Sequence, residues 1–119
     1  MKTVERKRMV AAEFASVYGA PPEIWSRAPG RVDLMGSHTD YNQGAVMTMT
    51  VDRDTWIAAR QRSDGKVRIR SMNIEGESVF DLNEIKHDQG LSWSNYVRGM
   101  AVVMQRAGYP LRGFDGLVH

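Results

Sequence analysis

Seven side chains able to do chemistry crowd into one short run: Arg31, Asp33, Ser37, His38, Asp40, Tyr41 and Asn42, set among Gly30, Gly36 and Gly44. A loop of this composition is costly to order unless its polar groups find partners. A ligand rich in hydroxyls would supply them. Asp40 only accepts hydrogen bonds, so it can hold two vicinal hydroxyls, each charge-assisted bond contributing roughly 1.5–3 kcal/mol. Arg31 only donates, and it complements a phosphate or a developing alkoxide. The glycines let backbone approach a ligand closely. Blander readings compete: polar, glycine-containing runs are also ordinary loops, and Arg31 with Asp33 can form a simple salt bridge. His38 and Asp40 supply two metal ligands without a third in register. Ser37 lacks the second glycine of a hydrolase elbow. His87 and His119 have no partner pattern and read as surface or packing residues.

The elements that must position this run can be read from periodicity. Val10, Phe14 and Val17 form an apolar stripe over Val4 to Tyr18, a helix stopped by Gly19 and the Pro21-Pro22 pair. Ile24 to Arg27 reads as a short strand interrupted at Pro29-Gly30. Ala45 to Val51 and Thr55 to Gln61 read as two further strands. Ser63-Asp64-Gly65 predicts a hairpin turn into the alternating strand Val67 to Arg70. Gly76 marks another turn before Ser78 to Leu82. A second helix starts near Ser92 or Ser94 as N-cap, with Tyr96, Met100, Val103 and Ala107 on one stripe and Val97, Ala101 and Met104 beside it. Gly108 and Pro110 close it. Gly113 to His119 is strand-like. The eight methionines are expected to fill the core. The order implies an α+β fold, with helices on one face of a mainly antiparallel sheet.

Composition removes several classes. The 119 residues are 42% hydrophobic and 25% charged, ordinary values for one globular domain. Sixteen basic against 14 acidic residues leave a net charge of +2, too little to argue for nucleic acid. With no cysteine, disulfides, zinc–thiolate sites and cysteine nucleophiles are excluded. No apolar stretch approaches the ~20 residues of a spanning helix, and Glu13 breaks any signal-peptide core. The expectation is a cytoplasmic protein without membrane or nucleic-acid partners.

The run Pro29-Gly30-Arg31-Val32-Asp33-Leu34-Met35-Gly36-Ser37-His38-Thr39-Asp40-Tyr41-Asn42-Gln43-Gly44 resembles the galactokinase signature, Gly-Arg-Val-Asn-Leu-Ile-Gly-Glu-His-Thr-Asp-Tyr-Asn-x-Gly. Galactokinases belong to the GHMP kinase superfamily. Trp93-Ser94-Asn95-Tyr96-Val97-Arg98-Gly99 is similar to the family's Trp-x-Asn-Tyr-Val-Lys-Gly. Gly113 to Val118 resembles the strand that leads into its phosphate loop. The resemblance spans residues 1–119 and implies the first part of a fold like domain 2 of ribosomal protein S5, an incomplete piece of marginal stability by itself.

The resemblance also implies roles. Arg31 would stabilise charge near the reacting sugar hydroxyl. His38 and Asp40 would hold sugar hydroxyls, with Tyr41 and the Gly44 region shaping the pocket. Trp93 and Tyr96 would stack near the nucleotide base, although Tyr96 on the apolar stripe could equally be helix-start packing. Asp33 stands where the family usually has Asn. Ser37 stands where it has the Glu that contacts the 6-hydroxyl, so recognition at C6 should be relaxed or redirected. Galactose leads as substrate, with galacturonate or arabinose as C6 variants. ATP and Mg²⁺ are implied, but the phosphate-loop motif would begin just after His119 and the family's catalytic Asp lies further on. The expectation is the sugar-binding N-terminal portion of a kinase, inactive by itself. The alternative is a non-catalytic galactokinase-like sugar sensor.

Overall fold

Val10 and Phe14 are completely buried and turn the first helix, α1 (Thr3–Tyr18), onto the sheet. The computed structural model describes residues 2–119. After α1 come β1 (Ile24–Met35), a 3-10 turn (Asp40–Asn42), β2 (Met47–Gln61), β3 (Lys66–Ser71), β4 (Glu77–Asp81), α2 (Ser94–Arg106) and β5 (Phe114–Val118). The strands form one sheet in the order β1-β2-β5-β3-β4. The class is α+β, as the periodicities imply. The chain divides into two compact units, one of Met1–Trp25 with Ile57–His119 and one of Ser26–Trp56.

The hairpin expected at Asp64-Gly65 does not form between β2 and β3, because β5 lies between them. It pairs antiparallel with β2, from Ile57↔Val118 to Gln61↔Phe114. It pairs parallel with β3, from Val67↔Phe114 to Ser71↔Val118. The turn is held open around the chain entering β5. The Gly113 carbonyl accepts the Arg62 N–H at 2.8 Å. A Cβ on Gly113 would sit 2.3 Å from the Asp64 carbonyl oxygen, so only glycine fits. The local hairpin is instead β3 with β4, an antiparallel pair running from Lys66↔Asp81 to Arg70↔Glu77.

Two other strand expectations are corrected. β1 runs through Pro29-Gly30 without a break. Proline's fixed φ suits extended backbone, and β1 is an edge strand in the sheet order, where a missing N–H is tolerated. β2 is one strand of 15 residues instead of two.

The helices cover opposite faces of the sheet, not one face as expected. Side chains alternate along a strand, so the register assigns each residue a side. Ala58 and Leu117 share the face on which Val10 and Phe14 pack. Val67, Phe80 and Phe114 lie on the other face, with Leu82, Val97 and Ala101 completing that cluster. Tyr18 anchors α1: its hydroxyl donates to the Gly116 carbonyl at 2.7 Å.

The buried face of α2 also differs from the expected stripe. Tyr96, Met100 and Val103 are 86%, 61% and 60% exposed. The helix instead turns Ser94 and Arg98 inward, both buried, with Val97 and Ala101 beside them. Arg98 lies over the Phe80 ring at 4.6 Å. Its guanidinium donates to the Lys86 carbonyl at 2.9 Å and the Ser78 hydroxyl at 2.8 Å. A planar cation with an apolar stem and a hydrogen bond at each of its nitrogens can be buried where a hydropathy count expects solvent. Ser94 is the first helical residue, not the cap. Its hydroxyl donates to the Leu91 carbonyl, and Trp93 occupies the cap without a side-chain bond. Methionine is not mainly core-filling either: Met35, Met47, Met49 and Met100 are exposed, while Met9 and Met72 pack against the α1 cluster.

Gly113→Ala should destabilise the chain by about 1–3 kcal/mol in urea unfolding through backbone overpacking. Gly99→Ala, in α2 with nothing within 4 Å of a new Cβ, should stabilise it by roughly 0.5–1 kcal/mol. Burial pushes the Tyr18 hydroxyl from 10.0 up to about 12, with the charges of Glu77 and Asp115 adding to the shift. A raised folded value stabilises below the unfolded one and is lost as pH rises through the folded one. Stability should therefore fall between pH 10 and pH 12, and Tyr18→Phe should remove that alkaline limb of the unfolding profile.

Candidate functional site

The polar run of residues 31–44 lies in the Ser26–Trp56 unit, where the end of β1 leads through the 3-10 turn towards β2. Its backbone is closed upon itself. Gly36 takes φ +95°, a left-handed conformation, and a Cβ there would meet the Ala45 carbonyl at 2.6 Å. Only glycine satisfies both demands. The Thr39 hydroxyl bridges the loop, 3.1 Å from the Gly36 carbonyl and 2.8 Å from the Ala45 carbonyl. The Asp40 N–H donates to Gly36 at 2.9 Å and the Gly44 N–H to Thr39 at 2.7 Å. The Asn42 side chain donates to the His38 carbonyl at 2.8 Å.

With the backbone bonded internally, the side chains are left outward. Arg31, Ser37, His38, Asp40 and Tyr41 are all exposed. The Arg31 guanidinium stands between two carboxylates, 3.4 Å from Asp33 and 3.9 Å from Asp40. The Asp33 salt bridge and the approach to Asp40 therefore coexist. His38 Nδ1 and the Tyr41 hydroxyl are 2.6 Å apart, with their rings edge to face. Gly44 serves by its size, since a Cβ there would lie 2.5 Å from the Thr39 Cβ. Among the described residues, no group of three or more His, Asp or Glu could hold a metal ion.

Trp93 and Tyr96 lie in the other unit. With His87, Ser92 and Asn95 they line a cleft of about 500 Å³. The Trp93 indole N–H is buried and has no partner. Asn95 ties the floor of this region to the preceding loop through its bonds to Asp88, both 2.8 Å long. The Asp88 carboxylate accepts the N–H groups of Leu91 and Gly90, which hold it below the usual carboxylate range. Thus Arg31, on β1, stands beside the loop that holds Ser37, His38, Asp40, Tyr41 and Gly44, and Trp93 and Tyr96 share one cleft. The sequence reading missed Thr39, Asn95 and His87 as working residues. The first two lie inside the quoted motifs, so the signal was there. His87 stands eight residues before Asn95 and carried none.

Residues 12–61 match the family model described as the galactokinase galactose-binding signature. The galactokinase of Chloroflexus aurantiacus is 46% identical over 90% of this chain, and that of Lactococcus lactis 40% identical over 97%. The chain belongs to the galactokinase family. It spans 27% and 31% of the length of those two galactokinases. The crystal structure of Lactococcus lactis galactokinase complexed with galactose superposes with a TM-score of 0.79, at 39% identity, over 93% of this chain and 30% of that one. Mevalonate kinase from Methanococcus jannaschii, 16% identical, shares the fold with a TM-score of 0.61. The fold is therefore common to galactokinase and other GHMP-type kinases. Among the described residues, no helix is long and apolar enough to cross a membrane.

Because Thr39 spans the galactokinase-type loop, Thr39→Val should speed amide exchange at Asp40 and Gly44. Unfolding of the Met1–Trp25 and Ile57–His119 unit should change little. Unchanged exchange at both amides would show that the hydroxyl bridge does not hold the loop.

Proposed function

We propose that this chain is the galactose-binding N-terminal portion of an ATP-dependent galactokinase that phosphorylates the anomeric hydroxyl of galactose. The observation that carries this reading is the internally bonded 36–45 loop, beside which Arg31, His38 and Asp40 are exposed to a polyhydroxylated ligand. Order in the loop is supplied by its own backbone, so a sugar need not pay for it on binding. Asp40 accepts from two sugar hydroxyls, and His38, steadied by Tyr41, meets a third. Arg31, already beside Asp40, is the cation nearest the oxygen that gains charge as phosphate transfers. Tyr41 and Gly44 bound the pocket.

Ser37 replaces a carboxylate that would contact the 6-hydroxyl. A serine neither repels a uronic acid nor demands a 6-hydroxyl, so galacturonate and arabinose are admitted beside galactose. ATP lies with its base against Trp93 and Tyr96, whose cleft has the flat aromatic lining a base needs. Mg²⁺, which would neutralise phosphate charge, has no ligand set among the described residues, so no step is assigned to it. The phosphate-binding residues and catalytic base belong to the remainder of a full-length galactokinase, and this chain by itself is inactive. The absence of cysteine suits the reducing cytoplasm.

Titration calorimetry with galactose tests the binding half of this reading. Asp40→Asn should weaken galactose binding by about 10-fold to 100-fold, the loss of one charge-assisted contact. An unchanged affinity would remove Asp40 from the site. Phosphorylation of galactose to its 1-phosphate by the full-length protein tests the catalytic half. In that protein Ser37→Glu should raise the kcat/KM ratio of galactose over arabinose and galacturonate, whereas a constant ratio would show that position 37 does not read C6.

A further inference from the structure

The hydrogen bonds around Asn95 decide the tautomer of His87. Asn95 Oδ1 accepts the Asp88 backbone N–H at 2.8 Å, and Asn95 Nδ2 donates to the Asp88 carbonyl at 2.8 Å. That two-point pairing admits only one orientation of the amide. The second hydrogen on Nδ2 meets His87 Nε2 at 3.1 Å. An N–H can be received only by an unprotonated ring nitrogen, so Nε2 is the acceptor and the neutral imidazole carries its proton on Nδ1. The nearest carboxylate is engaged elsewhere. Asp88 Oδ1 accepts the N–H groups of Gly90 and Leu91 at 2.8 and 2.9 Å, and Oδ2 faces Arg98 at 3.4 Å.

This ring lines the same cleft as Trp93 and Tyr96. Tyr96 is 86% exposed, so its ring is available to a flat ligand. Aromatic faces contribute stacking, which every base satisfies equally. A fixed N–H donor adds direction. Adenine carries imino nitrogens that only accept, and such a donor is their complement. We propose that His87, fixed in its Nδ1–H form by Asn95, is a base-binding residue that donates to an imino nitrogen of the adenine ring of ATP. The proposal rests on the nucleotide reading of the cleft. It also gives the motif asparagine a function: Asn95 is a positioning residue acting through His87.

The test has two parts, both on the full-length protein that contains these 119 residues. Nitrogen-15 chemical shifts of His87 report its tautomer without any nucleotide, and the proton should be on Nδ1. Asn95→Ala should release that preference. ATP affinity is then measured for the wild type, His87→Ala and His87→Asn, together with the 1-deaza, 3-deaza and 7-deaza analogues of ATP. His87→Ala should weaken ATP binding about 3-fold to 10-fold, the worth of one neutral hydrogen bond, and His87→Asn, which keeps an N–H donor, should recover most of it. One deaza analogue should lose the same factor against the wild type and nothing further against His87→Ala. Equal ATP affinity of wild type and His87→Ala, or a proton found on Nε2, overturns the role of His87 while leaving the nucleotide cleft standing. A full-length protein that binds no ATP while showing the Nδ1–H tautomer overturns the nucleotide reading, and the base contact with it.

Discussion

The main unit of the structure depends on β5 taking the position between β2 and β3. One strand supplies Leu117 to the cluster under α1 and Phe114 to the cluster that α2 joins. Its ladder is antiparallel on one side and parallel on the other, so neither neighbouring strand can pair fully without it. Asp115 reinforces the position from the side chains. It is buried and accepts from Arg62 at 2.9 Å and from Arg68 at 2.8 Å, one arginine just past β2 and the other on β3. Burial alone would raise its pKa, yet the bonds from Arg68 and Arg62 prevail and hold it below the usual carboxylate range. A buried carboxylate with two guanidinium partners is stable only while both remain, which couples the three strands.

The two candidate regions use a common device: the backbone is bonded internally so that side chains stay free. In the 36–45 loop, Thr39 and two backbone N–H groups close the chain, and Arg31, His38 and Asp40 are left without a demanding structural task. In the cleft, Asn95 and Asp88 pair with backbone groups, and the rings of Trp93, Tyr96 and His87 line the space. A loop ordered in this way loses less entropy when a ligand arrives, which is the ordinary route to affinity from few contacts. The cost falls on sequence choice. Gly36 and Gly44 leave no room for a side chain, and Thr39 must carry a hydroxyl.

The elements with local causes were legible. α1 ends at its glycine, β3 alternates strictly, and the Gly108 N–H closes α2 on Gln105 where the punctuation implied. The polar run was legible as a candidate site from its residue types and their spacing. The inward face of α2 was not. Tyr96, Met100 and Val103 outweigh Ser94 and Arg98 on any apolar count, but Arg98 finds the Ser78 hydroxyl and the Phe80 ring on β4 and the Lys86 carbonyl in the loop that follows it. The methionine expectation failed for the same reason: side-chain chemistry states what may be buried, whereas burial depends on what stands opposite.

The sequence by itself determined the local elements, the class of fold, the family and the candidate sugar-binding residues, since each rests on residue type and spacing. Tertiary structure alone decided strand order, the opposite placement of the two helices, the partners of Arg98 and Asp115, and the tautomer of His87. These depend on groups that meet only after the chain has closed. A hydrogen bond between residues 62 and 115, or between a ring and an amide eight residues apart across a loop, leaves no periodic trace in the chain.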